Sequence, residues 1–348
     1  MRLGLNLGYW GAGNDHENLA LAQEADRLGY SVVWAAEAYG SDAVTVLTWV
    51  AAQTTHVDVG TAVMQIPART PTATAMTAAT LDTLSGGRFR LGLGVSGPQV
   101  SEGWHGVRFA KPLGRTREYV DIVRMALRRE RVRYQGEHFT LPLPDGPGKP
   151  LKLTVHPARE TLPIYLAAVG PRNIELAGQI ADGWLAIFFS PEHSGPSLAA
   201  LQAGRRRAGR DLDGFDVVAT VPVVFGDDPQ AAADPVRGYA ALYVGGMGSR
   251  EQNFYNALAR RMGYEQAAEQ IQERYLARDY AGAMAAVPFG FLDSTCLLGS
   301  VSRVAERMRA YADAGVTTLA LSPHGTLEQR TAALHAAQQA LELSGAGG

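Results

Sequence analysis

Cysteine is nearly missing from this sequence, since one of its 348 residues, Cys296, is a cysteine. A single cysteine excludes an internal disulfide framework and a cysteine-ligated metal cluster. Such low usage is typical of a protein kept in a reducing compartment. We therefore expect a cytoplasmic location and no thiol chemistry.

Charge is also scarce, because charged residues make up 19% of the chain and nearly balance. The formal net charge is −2, which offers no field to attract nucleic acid or an anionic membrane, so a small, near-neutral substrate fits better. The sequence has no apolar run of membrane-spanning length, and its start, Met1–Leu7, lacks the apolar segment expected of a signal peptide.

Motifs for metal or serine chemistry are missing as well. The eight histidines form neither an H-E-x-x-H motif nor a tight cluster with aspartate, so we expect no metal site. There is no Gly-x-Ser-x-Gly motif either. The short basic run Arg205–Arg207 is interpreted as a solvated helix face.

What the sequence does have is an alternation of short apolar runs with longer segments of helical period, which is typical of repeated strand–helix units. The runs predicted as strands are Leu3–Leu7, Val32–Ala36, Val57–Met64, Phe89–Val95, Ile164–Ala168, Gly183–Phe188, Val217–Phe225 and Thr318–Ser322. Eight is the strand number of a (β/α)₈ TIM barrel, so we predict this α/β fold as a single domain over residues 1–348. A doubly wound parallel sheet is the competing architecture.

Helices are predicted between these strands. They cover His16–Leu28, Ala43–Thr54, Thr72–Leu84, Arg115–Arg129, Arg172–Ile180, Pro191–Ala208 and Val301–Ala314. Two connections, at about 98–162 and 230–286, are much longer than usual, and we interpret them as insertions on the catalytic rim of the barrel. Within the first, the Pro- and Gly-rich segment Leu141–Gly148 indicates an extended surface loop or a mobile lid.

A G-x-G-x-x-G spacing occurs at Gly92–Gly97, but we reject it as a dinucleotide-binding motif. That motif must open directly into a helix, whereas a proline and a polar, glycine-broken run follow here. Either Gly92 and Gly94 lie where barrel strands crowd one another, or Gly94, Ser96 and Gly97 leave room for a flat ring. We favour the ring, because barrel active sites lie at the carboxyl ends of the strands.

A second candidate site lies where a predicted strand of small residues runs into a helix. Its residues are Ala167, Ala168, Val169, Gly170 and Pro171. A proline at the first helical position leaves the backbone N–H groups at the positive helix end free for an anion, so this stretch could cradle a phosphate or be an ordinary turn. Of the later loops, Gly226–Pro229 has two carboxylates that would repel phosphate, and Pro323–Thr326 is a rival site.

Side chains at the ends of the first two predicted strands are candidates for the reaction itself. Glu37 directly follows the second strand and could bind a ring nitrogen or transfer a proton, or simply cap a helix. On the functional interpretation, Glu37→Gln should slow the reaction more than it harms folding. Tyr9 and Trp10 could form an aromatic wall for the substrate, or pack at the rim.

Several longer segments together resemble a known family. They are Ala36–Ala43, Leu84–Arg88, Gly92–Gly103 with Trp104, Lys111–Tyr119 and Tyr243–Gly248. From Leu3 to about Ser322, the chain is similar to the luciferase-like monooxygenase superfamily, and within it to the coenzyme F420-dependent oxidoreductases of actinobacteria and archaea.

This resemblance implies that the deazaflavin ring of F420 lies at the carboxyl ends of the barrel strands. It implies a cis peptide between Ala62 and Val63, followed by Met64, behind the ring, and a phosphate loop at 167–170. It also implies that Glu37 lies near the ring and that Trp104 lies in a substrate region with Tyr9 and Trp10. A homodimer is a further expectation.

Two departures from the family bear on the reaction. Sugar-phosphate dehydrogenases of the family have a histidine and a glutamate where this chain has Ala38 and Pro98. We therefore expect reduction of an activated C=C or C=N bond by reduced F420, with a proton from solvent, Tyr39 or a water bound to Gln99. The alternatives are an FMN-dependent monooxygenase and a non-catalytic cofactor-binding protein.

Overall fold

A computed structural model describes residues 1–10 and 15–347 of the chain. Eight parallel strands close into a barrel. They are β1 (Arg2–Asn6), β2 (Val32–Ala35), β3 (Asp58–Thr61), β4 (Phe89–Gly94), β5 (Ile164–Ala167), β6 (Gly183–Ile187), β7 (Asp216–Phe225) and β8 (Thr318–Pro323). Each strand pairs with the next in the chain, and β8 pairs with β1. The predicted TIM barrel is confirmed, and the doubly wound sheet is excluded because the sheet has no open ends.

Helices surround the barrel and fill the two long connections. They are α1 (Asp15–Arg27), α2 (Ala43–Ala52), α3 (Pro71–Leu84), α4 (Pro98–Gly103), α5 (Pro112–Leu127), α6 (Pro171–Ile180), α7 (Gly195–Arg207), α8 (Pro229–Ala241), α9 (Phe254–Arg261), α10 (Glu265–Leu276), α11 (Tyr280–Ala285), α12 (Phe289–Thr295), α13 (Val301–Asp313) and α14 (Leu327–Ser344). None of these helices is both long and apolar enough to cross a membrane.

The strands are apolar on both faces because both faces are covered. All four residues of β2 and all six of β4 are buried, as expected for parallel strands that lie between a barrel interior and a ring of helices. The barrel interior is filled by six side chains from five of the strands. These are Val32, Trp34, Tyr165, Leu185, Val218 and Ala320. The interior is therefore a packed core, which leaves the strand ends as the place for a site.

The second long connection has a hydrophobic core of its own. It includes buried residues of α8 to α12, among them Val236, Ile271 and Phe291. The short strand Leu297–Gly299 then pairs in parallel with the end of β7. In the first long connection, Tyr134–Gln135 and Thr140–Leu141 form a small antiparallel hairpin.

Four elements differ from the sequence-based expectation. The predicted strand Val57–Met64 is interrupted, because Met64–Gln65 pairs separately with β4. A short helix occupies Pro98–Gly103, where we expected none. The predicted helix Pro191–Ala208 begins with a 3₁₀ turn, and α7 itself starts at Gly195. The long helix α14 was not predicted, although a barrel needs a helix after its eighth strand.

Candidate active site

A cavity of about 540 Å³ opens at the carboxyl ends of the first four strands, which is where barrel enzymes place their sites. This volume lies within the range of roughly 300 to 1,000 Å³ that is usual for small-molecule sites. Its lining residues are Tyr9, Glu37, Ala38, Tyr39, Val63, Gln65, Ser96, Gly97, Gln99, Val100, Gly103, Trp104, Gly246, Met247, Phe254 and Tyr255. The cavity brings together most of the residues predicted to react or to contact substrate.

The floor of the cavity is built from close backbone contacts beyond β3 and β4. The Ala62–Val63 peptide is cis, as the family resemblance implied. A β-carbon on Gly94 would lie 2.6 Å from Cγ2 of Val63, so glycine is needed there for the Val63 side chain to take its place. Gly92 is even more constrained, since a β-carbon would lie 1.8 Å from the Thr61 carbonyl oxygen.

Glu37 lies at this floor and joins three segments of chain. Its carboxylate accepts hydrogen bonds from the backbone N–H groups of Gln65 at 2.9 Å and Ala43 at 3.2 Å. It also forms a two-point ion pair with Arg69, at 2.5 and 3.2 Å, and Arg69 contacts Asp42 as well. With 8% of its surface exposed and four donors already facing it, the carboxylate has little capacity left for a ligand.

Gln65 links the Glu37 segment to the end of β4. Its side-chain amide donates to the Ala38 carbonyl at 2.6 Å and accepts from the Ser96 hydroxyl at 2.7 Å. Ser96 has a left-handed backbone with φ of 62°, which is uncommon for a residue other than glycine, and this hydrogen bond helps to hold it there. Gly97 then leaves open space, with no atom within 4 Å of an added β-carbon.

The opposite wall comes from the second insertion. Met247, Phe254 and Tyr255 line the cavity from this side. Behind them lies a cluster of aromatic rings in which Tyr243 is 4.7 Å from Tyr239 and 4.9 Å from Tyr255 between ring centroids. This wall is mostly aromatic, so it suits a flat or apolar ligand.

The other predicted site residues lie below or beside the cavity. Met64 is fully buried in the core, and Ala62 packs under the floor. Trp10 is 7% exposed and packs edge-on against Trp49 at 5.7 Å, so it supports the rim and does not line the cavity. By contrast, Tyr39 and Trp104 stand at the mouth, 63% and 67% exposed.

The predicted phosphate loop lies outside this cavity. Gly170 precedes α6, no side chain caps that helix, and a β-carbon on Gly170 would have no atom within 4 Å. Ala168 and Val169 line a separate small cavity of about 30 Å³, together with Ser190 and His193. The start of α6 at Gly170 thus has open space beside it and no side-chain cap, as an anion cradle requires.

Helix α9 runs from the large cavity to the predicted phosphate loop. Phe254 and Tyr255, at its start, line the large cavity, whereas Leu258 lines the small one. At the other end, Arg261 donates a hydrogen bond to the Val169 carbonyl at 3.1 Å. From first to last residue α9 spans about 10 Å at 1.5 Å per residue. An elongated ligand could therefore follow α9 from the large cavity to the loop.

The described lining of the large cavity carries no uncompensated charge. Of its lining residues that the structure describes, none is lysine, arginine or histidine, and the one carboxylate, Glu37, is neutralised by Arg69. The polar groups that remain are hydroxyls and amides. Such a lining can orient an uncharged ligand by hydrogen bonds, but it has no cation for a phosphate or carboxylate.

Sequence reasoning missed several residues that shape this site. Among them are Gln65, Arg69, Phe254, Tyr255 and Arg261. Gln65 follows the Ala62–Val63 bulge by two positions, so extending the family's bulge would have found it. Arg69, Tyr255 and Arg261 reach the site through loops and an insertion whose paths no local pattern indicates.

Comparison with known proteins agrees with this architecture. A model of the luciferase-like monooxygenase family matches residues 8–318. The chain belongs to this family. The resemblance inferred from the sequence is thus confirmed over most of the chain.

The names of individual relatives refer to different activities. A Mycobacterium tuberculosis protein named "putative coenzyme F420-dependent oxidoreductase" is 46% identical, over 94% of this chain and 96% of its own. An F420-dependent glucose-6-phosphate dehydrogenase from Kineococcus radiotolerans is 28% identical, over 83% and 88%. The structure of the F420-dependent tetrahydromethanopterin reductase of Methanopyrus kandleri has the same fold, with a TM-score of 0.82 at 23% identity over 95% and 96% of the chains.

Proposed function

We propose that this protein is an F420-dependent oxidoreductase that uses the reduced deazaflavin to reduce an activated C=C or C=N bond of a small, uncharged substrate. The observation that carries the proposal is the cavity at the barrel's carboxyl face, which has an open glycine at Gly97 and neutral polar lining. The name of the mycobacterial relative, at 46% identity, supports the choice of F420.

The residues present fit this cofactor. The space above Val63 and beside Gly97 can hold the flat ring, and the uncapped start of α6 at Gly170 can hold a phosphate. Arg261, at the Val169 carbonyl, would add a positive charge beside that phosphate. When bound, F420 supplies the hydride, while the protein binds and orients the ring and the substrate.

Two groups that the cavity lacks support the proposed direction and substrate class. Ala38 lines it and Pro98 begins α4, at the places where sugar-phosphate dehydrogenases of the family have a histidine and a glutamate. With neither group, nothing at these places accepts the proton of a sugar hydroxyl, which disfavours sugar oxidation. Since the described lining has no cationic side chain, a phosphorylated sugar would also bind poorly.

Cofactor titration tests the proposal directly. The purified protein is titrated with F420 and, separately, with FMN, and binding is followed by ligand fluorescence. We expect saturable binding of F420, and loss of reduced F420 when an α,β-unsaturated ketone is added. Tight FMN binding without F420 binding would instead support an FMN-dependent monooxygenase, whereas F420 binding without turnover of any substrate would support a non-catalytic binding protein.

The homodimer and the cytoplasmic location expected from the sequence stay predictions. Sedimentation velocity of the purified protein tests the first, and a sedimentation coefficient of a monomer at all concentrations would contradict it. Cell fractionation tests the second.

A further inference from the structure

Exposed aromatic side chains are concentrated at one place on the protein. In the described part of the chain, six aromatic residues are at least 36% exposed, namely Tyr9, Tyr39, Trp49, Trp104, Phe254 and Tyr280. Four of the six, Tyr9, Tyr39, Trp104 and Phe254, line the large cavity. Exposed apolar side chains scattered singly need no explanation, whereas a group of them around one opening is typical of a surface that a ligand covers.

The backbone that carries Trp104 is fixed, although its side chain is exposed. Trp104 directly follows α4, and its N–H donates to the Val100 carbonyl at 3.0 Å. The next residues close on the buried Ser101, whose hydroxyl donates to the Val107 carbonyl at 2.7 Å and whose carbonyl accepts from Val107 N–H at 2.9 Å. The indole is therefore held at the mouth by a hydrogen-bonded backbone on both sides.

Phe254 is held in a similar way at the start of α9. Asn253 caps this helix, because its side-chain oxygen accepts from the N–H groups of Tyr255 at 2.9 Å and Asn256 at 3.0 Å. The Phe254 ring lies 6.4 Å from the ring of Phe109, between centroids. Since Phe109 belongs to the loop after α4, this contact joins the two sides of the mouth. Aromatic rings on such a backbone lose little freedom when a ligand packs on them.

The exposed rings at the mouth lie apart from the place proposed for the deazaflavin ring. That place is at the floor, above Val63 and beside Gly97. A substrate that receives a hydride must lie on the deazaflavin ring, so a substrate longer than its reacting bond extends toward Tyr39 and Trp104. The described lining has no cationic side chain, which favours an uncharged group there. Aromatic groups also attract aromatic side chains beyond the effect of apolar burial.

We propose that the substrate carries an aromatic ring beyond its activated double bond, and that Trp104 selects for this ring by packing against it. The inference rests on the proposed function and narrows its substrates to aryl-bearing compounds. Tyr39 and Phe254 add further rings to the same opening. The aryl group takes no part in bond making or breaking, so its loss should raise KM more than it lowers kcat.

The test compares three enones that share one reacting group. The first, trans-hex-3-en-2-one, has no ring, and its 6-phenyl and 6-cyclohexyl derivatives carry a flat and a puckered ring, each two methylenes from the C=C bond. With reduced F420, kcat/KM of wild type should be about 10- to 100-fold higher for the phenyl compound than for the ringless one. It should be about fivefold higher for the phenyl than for the cyclohexyl compound.

Substitutions at Trp104 test its role in this preference. Trp104→Ala should bring the phenyl-to-cyclohexyl ratio of kcat/KM to about one, mainly by raising KM for the phenyl compound. Trp104→Phe should keep most of the ratio, because an aromatic ring remains. Leu143→Ala is the control and should keep the wild-type ratio, since Leu143 is similarly exposed but does not line the cavity.

Binding of the saturated products gives a readout that needs no turnover. Protein loaded with oxidised F420 is titrated in a calorimeter with 6-phenylhexan-2-one and with 6-cyclohexylhexan-2-one. Wild type should bind the phenyl compound about fivefold more tightly, and Trp104→Ala should bind both equally. A fluorescence titration with F420 alone should give Kd values within about twofold for the two proteins.

The outcomes separate this inference from the proposed function. If wild type reacts with and binds the phenyl and cyclohexyl compounds equally, or if Trp104→Ala keeps the preference, the inference is wrong while the proposed function stands. If Trp104→Ala loses F420 affinity as much as affinity for the phenyl product, the indole contacts the cofactor instead, which also overturns the inference. If wild type binds F420 but reduces none of the three enones, the proposed function is wrong and the inference falls with it.

Discussion

Replacing Glu37 by glutamine should destabilise the fold as well as the site. Four donors point at this carboxylate, two from the Arg69 guanidinium and one each from the backbone of Gln65 and Ala43. A glutamine amide has one oxygen, and its NH₂ group would face donors instead of accepting from them. At least one buried donor then loses its partner.

The size of the effect follows from burial. Removing one partner of a fully buried ion pair costs about 3 to 5 kcal/mol. Here the Arg69 side chain is 21% exposed and keeps its contact with Asp42, so part of the cost is relieved. We expect Glu37→Gln to lower the free energy of unfolding by about 2 kcal/mol.

Urea unfolding measures this change. Glu130→Gln is the matched control, because Glu130 pairs with Arg128 at the surface and its loss should cost less than about 0.5 kcal/mol. A double-mutant cycle with Arg69→Gln should give a coupling energy above about 1 kcal/mol. If Glu37→Gln unfolds at the same urea concentration as Glu130→Gln, the carboxylate is not the link described above, and the sequence-based expectation of a mainly kinetic effect is the better one.

Three further predictions concern other parts of the chain. Gly170→Leu should weaken F420 binding about tenfold or more in a fluorescence titration, yet leave thermal stability unchanged. The reason is that the leucine side chain meets only open space unless a phosphate is bound. Wild-type affinity of this variant would place the phosphate elsewhere. Gly92→Ala should lower the free energy of unfolding by about 3 kcal/mol or prevent folding, since its β-carbon would meet the Thr61 carbonyl; expression at wild-type stability would contradict this. Burial alone would raise the pKa of Glu192, but hydrogen bonds from Arg307 and Ser190 outweigh it and lower the pKa to about 2. The ionised carboxylate therefore contributes to the free energy of unfolding above about pH 4.5, and this contribution is lost as the pH falls toward 2. Glu192→Gln should remove that part of the acid sensitivity, as measured by thermal unfolding across this range, and an unchanged acid limb would refute it.

The barrel was predictable because its strands carry a local signal. Fully buried parallel strands appear as short apolar runs, and each of the eight predicted runs overlaps an observed strand. The ends of the strands follow less closely from the pattern, as at Val57–Met64, where β3 ends at Thr61 and Met64–Gln65 pairs separately with β4. A period of alternation cannot report such a local change of backbone direction.

From local pattern alone, the site was predictable mainly where residues lie just beyond the ends of strands. Tyr9, Glu37 and Ser96 line the same cavity because the carboxyl ends of parallel strands meet at one side of a barrel. The same reasoning left open whether Trp10 lines the cavity or packs at the rim, and the structure places it at the rim against Trp49, an exposed residue of α2. The direction in which a side chain points after the end of a strand depends on tertiary contacts, and a local sequence pattern does not reveal those contacts.

The aromatic residues on the opposite side of the cavity could not be predicted from local pattern, for a different reason. Tyr243 and Tyr255 arrive through an insertion that folds around its own core, so their distance from Tyr9 in sequence exceeds 200 positions. No periodicity relates residues so far apart. Only the closed barrel brings the first strand and this insertion to the same opening.

The separate core of the second insertion also affects how this protein could change over time. Barrel strand ends supply the floor of the cavity, whereas Met247, Phe254 and Tyr255 of the opposite wall belong to an insertion whose helices pack mainly on one another. Mutations in that wall can therefore change the shape of the cavity while the floor and the barrel keep their geometry. For laboratory evolution, the wall is the segment to randomise or to exchange with a relative's, and the floor is the segment to leave intact.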